Sequence, residues 1–361
     1  MKQYKQAISD YTQAIKLDPN NAVPYFNRGN LFSTLERYEE AIIDYTFAIK
    51  LDPTESEIHF NRGLAHQLLN HYEQAISNYI QAIKLDPNNV YAYRSRGNAF
   101  NDLNHYEQAI LDFTQAIKLD PNHATTYYNR GNTYYSLRRY KQATSDYTQA
   151  IKLKPNYSNA YYNRGYTYFT LECYEEAICD FTEVIKLNPN NAAAYYCRGI
   201  VYSNLKQFDE AISNFTQAIN LNATHISAYY NRGNALSKLE RYDEAIADFT
   251  QAIKLDPNSV LAHYSRGITY SIDGRYMQAI ADFTQAIKLN AEDADAYFHR
   301  GVAYRGLGNY MQAIDDYTQA INLDPHYSVA YYHRNLAHKA LNHKQQAKED
   351  YDRAIALGYR P

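Results

Sequence analysis

The chain has 361 residues, with 36 Lys+Arg against 39 Asp+Glu and a formal net charge of −3. Near-cancelled charge argues against a nucleic-acid partner held by an overall basic field, and only three cysteines exclude a disulfide scaffold and fit a reducing compartment. No apolar run approaches the roughly 20 residues of a membrane span, and the N-terminal MKQYKQAISDYTQ lacks the apolar stretch of a secretory signal. A cytoplasmic protein without a membrane partner is expected.

Forty tyrosines without one tryptophan point to a pattern, and the pattern is a repeat of 34 residues. Pro19, Pro53, Pro87, Pro121, Pro155, Pro189, Pro257 and Pro325 are separated by 34 or 68, with Ala223 and Ala291 in the skipped places. Arg28, Arg62, Arg96, Arg130, Arg164, Arg198, Arg232, Arg266, Arg300 and Arg334 keep the same spacing. A fixed period of this length means stacked supersecondary units rather than independent globular domains.

In chain order, residues 1–21 supply the back part of one repeat, its second helix only. Ten full repeats then start at 22, 56, 90, 124, 158, 192, 226, 260, 294 and 328 and fill residues 22–361. With positions numbered 1–34, the repeat 158–191 places Ala160, Tyr161, Arg164, Gly165, Tyr168 and Leu171 at helical spacing. A second helical stripe follows in Tyr174, Ala177, Ile178, Phe181, Val184, Ile185 and Leu187. Pro189 ends that helix, and Asn190-Asn191 suit a turn and the next cap. Each repeat is thus a pair of helices of about 13 residues, or about 20 Å. The last repeat differs: Lys344, Lys348 and Asp352 replace an aromatic, an isoleucine and a threonine, as a polar end cap requires.

Glycine at position 8 in nine repeats, Gly29 to Gly301, costs about 0.8–1 kcal/mol each inside a helix. Close helix approach is the simplest reason. If the chain turns near position 15 or 16, antiparallel partners sum to about 31, so position 8 faces 23 or 24 and position 7 lies beside 23. Position 23 is Asp in eight repeats and Asn78 or Asn214 in the other two. An arginine–aspartate pair is therefore predicted in most repeats, answering the arginine charge locally and removing it as a phosphate site.

Small residues at 8, 20 and 27, aromatics at 4, 11, 17 and 24, and proline at 32 resemble the tetratricopeptide repeat over the whole chain. Tyrosine or histidine (His59, His263) stands where the family commonly has tryptophan at position 4, and arginine occupies position 7 where an aliphatic is common. The resemblance implies an all-α, right-handed superhelical solenoid whose first helices line a concave groove for extended peptides. It also implies ligand-facing positions 2, 5, 6, 9, 12 and 13. Asn27, Asn61, Asn129, Asn163 and Asn231 stand at position 6, and Asn30, Asn98, Asn132 and Asn234 at position 9. Asparagine offers donor and acceptor together, and this row is similar to the asparagine ladder inside the superhelix of O-GlcNAc transferases. Tyr128, Tyr135, Tyr162, Tyr166, Phe169 and Tyr196 give the middle repeats the most aromatic surface, suited to apolar, aromatic or proline-bearing segments.

The resemblance also raises the dicarboxylate clamp for the C-termini of Hsp70 and Hsp90. Asn30 with Asn61, Asn98 with Asn129, and Asn132 with Asn163 match its asparagine half, but its cations are missing apart from Arg94. That partner is not expected. Cys173, Cys179 and Cys197 have no metal-ligand spacing, His333, His338 and His343 spread around a helix, and no catalytic or nucleotide motif occurs. No cofactor, metal or enzyme activity is expected.

The expected function is a non-catalytic scaffold or adaptor gripping an extended partner segment. Two alternatives are a structural or self-associating subunit and a targeting module of a larger enzyme such as a glycosyltransferase. The opening helix has no first helix of its own repeat. Either the chain is a fragment of a longer array, or Tyr4, Ile8, Tyr11 and Ile15 form a face for self-association.

Overall fold

The computed structural model describes residues 2–360, so Met1 and Pro361 of the predicted array lie outside it. The chain divides into two compact units, residues 1–187 and 188–361. The first holds α1 (Lys2–Leu17), α2 (Ala22–Thr34), α3 (Tyr38–Leu51), α4 (Ser56–Leu68), α5 (Tyr72–Leu85), α6 (Val90–Asp102), α7 (Tyr106–Leu119), α8 (Ala124–Ser136), α9 (Tyr140–Leu153), α10 (Ser158–Thr170) and α11 (Tyr174–Leu187). The second holds α12 (Ala192–Asn204), α13 (Phe208–Leu221), α14 (Ile226–Lys238), α15 (Tyr242–Leu255), α16 (Val260–Ile272), α17 (Tyr276–Leu289), α18 (Ala294–Gly306), α19 (Tyr310–Leu323), α20 (Ser328–Ala340) and α21 (Lys344–Ala356). Among the described residues there is no strand. Within each unit a helix packs on its partner in the pair and on the neighbouring pair.

The turn inside each pair carries a feature that composition hides. Position 15 adopts a left-handed backbone in all ten repeats: φ lies between 57° and 60° at Glu36, Asn70, Asn104, Arg138, Glu172, Lys206, Glu240 and Asn342, and at 76° and 78° at Gly274 and Gly308. In the repeat starting at 124, Arg139 N donates to Tyr134 O (2.8 Å) and Arg138 N to Tyr135 O (2.9 Å). These two bonds are the Schellman closure, and they satisfy carbonyls that the helix end leaves bare. First helices are capped where position 34 supplies an oxygen: Asn89 and Asn191 accept from Ala92 N and Ala194 N.

Packing explains the glycines. A Cβ on Gly131 would lie 2.8 Å from Cε1 of Tyr147, and the same clash recurs between Gly29 and Tyr45 and between Gly97 and Phe113. The ring at position 24 therefore rests directly on the first-helix backbone, and Tyr45, Tyr79, Tyr147, Tyr317 and Phe215 are at most 1% exposed. In the last repeat Asn335 replaces the glycine, and the corresponding ring, Tyr351, lies in a helix with no described pair after it and is 37% exposed.

The arginine–aspartate pairs are present as anticipated. Arg130 Nε and Nη2 donate to Asp146 Oδ2 (2.7 Å) and Oδ1 (2.8 Å). Arg28–Asp44, Arg96–Asp112, Arg164–Asp180, Arg232–Asp248, Arg266–Asp282, Arg300–Asp316 and Arg334–Asp350 repeat this fork. In two repeats the partner is neutral: Arg62 and Arg198 each give one bond to Asn78 and Asn214, whose amides donate onward to the carbonyls of Gln74 and Glu210. The Arg130 guanidinium lies over the rings of Tyr127 and Tyr134, with 5.8 Å to each centroid.

A third corner was not anticipated. Arg130 Nη1 donates to Thr114 Oγ1 (2.9 Å) in α7, the second helix of the preceding repeat. Thr12, Thr46, Thr148, Thr216, Thr250, Thr284 and Thr318 receive the arginine of the following repeat in the same way. The threonine proton is already committed to the carbonyl four residues back, as in Thr148 to Thr144 O at 2.7 Å. Only its lone pairs remain for the guanidinium. One side chain thereby ties three helices.

Two outcomes follow for urea unfolding. Asp146→Ala strands a largely buried guanidinium and lowers stability by about 3 kcal/mol, whereas Asp146→Asn, the natural arrangement at Asn78, costs about 1 kcal/mol. Gly131→Ala costs about 1–3 kcal/mol despite the better helix propensity of alanine. Gly165→Ala costs less, because its Cβ would meet Asp180 Cβ at 3.0 Å and Phe181 Cε1 at 3.3 Å, both longer than the 2.8 Å contact at Gly131.

Candidate functional site

The triple tie sets each first helix against the next, and position 9 of one repeat then meets position 6 of its neighbour. Asn163 Nδ2 donates to Asn132 Oδ1 (2.8 Å) and to Tyr128 Oη (3.1 Å). Asn132 Oδ1 also accepts from Tyr147 Oη at 2.8 Å. Asn61 and Asn30 repeat this contact at 3.1 Å, with Tyr45 Oη also donating to Asn30 Oδ1 at 2.8 Å. Asn129 Nδ2 reaches Asn98 Oδ1 at 2.9 Å. These are the three pairs that matched half of a clamp in the sequence, and each is a direct contact across adjacent repeats.

Each such amide is divided in use. Both Nδ2 protons of Asn163 are spent on protein acceptors, leaving its Oδ1. The Oδ1 of Asn132 is spent on two protein donors, leaving its Nδ2 protons. The leftover groups lie beside a cavity of about 400 Å³ lined by Asn132, Tyr135, Ser136, Tyr147, Tyr162, Asn163 and Tyr166. A more polar cavity of about 330 Å³ shares Asn132 and is lined by Gln67, Asn98, Asn101, Asp102, Phe113 and Asn129. No charged side chain lines the first, and Asp102 alone is acidic in the second.

The rings are arranged in contact with one another. Tyr135 packs on Tyr140 (5.4 Å) and Tyr166 (6.1 Å), and Tyr166 on Phe169 (6.3 Å). Tyr166 remains 44% exposed despite these contacts. Tyr128 and Tyr162 lean on Tyr147 and Phe181 of their own repeats. In the second compact unit, Tyr196 packs on Phe215 and His225 and accepts from Asn231 Nδ2 at 3.1 Å. Asn27 and Asn234 are half-buried.

Tetratricopeptide repeat models match residues 22–55, 124–157, 158–191, 226–259 and 294–327. A TPR repeat model matches 1–36, 68–103, 97–137, 204–240 and 272–308, and another tetratricopeptide repeat model matches 181–213 and 249–281. The chain belongs to the tetratricopeptide repeat family. No curated protein sequence matches it. Among solved structures it is similar to the C-terminal part of a TPR repeat-containing protein from Cytophaga hutchinsonii, at 19% identity and a TM-score of 0.58 over 65% of this chain and 96% of that one. A tetratricopeptide repeat protein from Parabacteroides merdae ATCC 43184 is 21% identical, with a TM-score of 0.51 over 69% and 98%. YrrB, described as a TPR protein with an unusual peptide-binding site, is 27% identical over 51% of this chain and 95% of its own, with a TM-score of 0.47. As a tetratricopeptide repeat array, the chain is a protein-interaction scaffold built of modules that are generally non-catalytic.

No helix is long and apolar enough to cross a membrane, and no group of three or more His, Cys, Asp and Glu could hold a metal ion, both among the described residues. Arg94, the single cation at position 5, is paired with Asp120. Of the four residues suggested for self-association, Tyr4 is 41% exposed while Ile8 packs on the core around Phe32 and Ala41. Tyr11 and Ile15 are half-buried.

Two contributors escaped the sequence reading. Gln67 at position 12 accepts from Tyr79 Oη (2.7 Å), replacing the position-9 asparagine where Leu64 stands, and Asn101 lies 3.0 Å from Thr133 Oγ1. For Gln67 the available signal was a polar residue at position 12 beside the apolar Leu64 at position 9.

Burial raises the hydroxyls of Tyr45, Tyr79 and Tyr147 above the ordinary tyrosine range. An unfolded chain releases these protons near pH 10 while the folded chain keeps them, so the unfolded state binds fewer protons there and stability falls as pH rises. Circular dichroism followed above about pH 10 should show helix loss coinciding with tyrosinate absorbance, and stability should be flat with respect to these groups below that pH.

Proposed function

We propose that the first compact unit binds an extended peptide segment along its first helices. The observation that carries this reading is the division of the asparagine amides over a ring-lined cavity. The Nδ2 protons of Asn132 and the Oδ1 of Asn163 are left over from the bonds between the repeats, on residues that line one cavity with Tyr135 and the partly exposed Tyr166. An extended backbone presents alternating C=O and N–H groups that match this pairing whatever its side chains. Tyrosines add contact area at small entropic cost, and the absence of charge from the cavity favours apolar, aromatic or proline-bearing segments.

Other partners are poorly served. The recurring arginines are committed to aspartate and threonine, which leaves no basic row for phosphates. In the two asparagine-lined cavities of the first compact unit an Hsp70- or Hsp90-type acidic C-terminus would be desolvated without a fixed cation, Arg94 being engaged by Asp120.

The test is selection of binding peptides from a random display library with the full chain, followed by affinity measurement for three variants. Asn132→Asp keeps the oxygen needed by Tyr147 and Asn163 but removes the free donors, and should weaken binding about tenfold with the melting temperature unchanged. Tyr135→Ala and Tyr166→Ala should weaken it further. Selected peptides that bind all three variants as tightly as the parent would overturn the reading.

A further inference from the structure

The second compact unit carries a cavity of different chemistry. It measures about 590 Å³, and its walls include Ile268 and Ile272 of α16, Val302 and Arg305 of α18, and Leu336 of α20. Position 9, asparagine at Asn30, Asn98 and Asn132, is aliphatic in all three of these repeats. Arg305 is the one charged residue in the lining.

Unlike the arginines at position 7, Arg305 has no carboxylate within ion-pair distance among the described residues, and its Nε is buried without a hydrogen-bond partner in the protein. Around it the polar balance is left open as well: Tyr317 Oη and His333 Nδ1 are also buried and unpartnered. The cause for Tyr317 is local, because Val302 stands where Asn132 accepts the corresponding proton of Tyr147. Burial, then the charge of Arg305, hold His333 down at about 4, and burial holds His299 below its usual value. Arg305 is therefore the cation of this cavity at neutral pH.

A half-desolvated guanidinium with an unmet donor is costly in an apolar wall and is offset by an anion brought to it. The aliphatic residues lie on both sides of Arg305, in the preceding and the following repeat, so a bound chain has apolar surface before and after the cation. We propose that this cavity binds an extended peptide through one carboxylate side chain at Arg305, with aliphatic residues of the same peptide on Ile268, Ile272, Val302 and Leu336. The continuation of apolar wall on both sides selects an internal Asp or Glu over a chain-terminal carboxylate. The site uses none of the residues of the first compact unit.

The experiment uses the full chain and three labelled probes in fluorescence anisotropy: the blocked peptide Ac-Leu-Ala-Glu-Ala-Leu-NH2, its Gln counterpart, and the Gln peptide with a free C-terminal carboxylate. The blocked Glu peptide should bind about tenfold or more tightly than the blocked Gln peptide, and less tightly as salt is raised. Arg305→Gln should erase that difference, and Arg305→Lys should restore part of it. Because Arg305 pairs with no carboxylate among the described residues and its Nε has no hydrogen-bond partner, the Gln variant should melt close to the parent. Equal affinity for the two blocked peptides, or no binding of the Glu peptide at about 1 mM, would overturn the proposal without recourse to any variant. Tighter binding of the free-acid Gln peptide than of the blocked Glu peptide would overturn it in favour of a chain-end site.

Discussion

A guanidinium that bridges three helices is the contact on which the rest depends. Arg130 forks onto Asp146 within its own pair and reaches Thr114 in the pair before, with two tyrosine rings within cation–π distance. Lysine could not substitute, having neither a planar fork nor a face to stack. The charge is mostly buried, so its favourable contribution comes from complete satisfaction rather than from the ion pair alone. Where Asn78 or Asn214 takes the place of aspartate, the amide still completes the network by donating to a backbone carbonyl. The fork orients both helices of a pair, and the threonine contact carries that orientation into the next pair.

The polar surface of the first helices is a consequence of this spacing. Once adjacent first helices are fixed, a position-9 oxygen reaches a position-6 amide, and each asparagine is half consumed by the scaffold. What remains is one donor set and one acceptor in alternation, beside tyrosine rings. Changing position 9 changes the surface without touching the tie. In the second compact unit Ile268, Val302 and Leu336 replace the amide row with apolar wall, and Arg305 enters without a carboxylate partner among the described residues. One repeat pattern thus lines two cavities with different chemistries.

Much of the scaffold was legible in the sequence because it is written in columns. The 34-residue period, the two stripes of Ser158–Asn191, and the Arg–Asp correspondence follow from helix geometry within a single repeat. What was missed involves relations between repeats or conformations without a compositional mark. Thr114 and Thr148 belong to the pair before their arginine, and a sum rule inside one repeat cannot find them. The left-handed residue at position 15 is Glu, Arg or Lys in five repeats, and none of these announces a positive φ as Gly274 or Asn70 does. The asparagines were legible as a row but not as bonded pairs, so half of their capacity was assigned to a ligand when the scaffold already uses it. Arg305 was not legible at all, since what distinguishes it is a missing neighbour.

The division of the amides is the point at which scaffold and recognition meet, and side-chain amide hydrogen exchange read by nuclear magnetic resonance tests it directly. In the free protein the Nδ2 protons of Asn163, both engaged by Tyr128 and Asn132, should exchange slowly, and those of Asn132 should exchange at nearly the rate of a solvated amide. Protection of Asn132 with fast exchange at Asn163 would contradict the account, because the groups left open to a partner would then be the opposite ones.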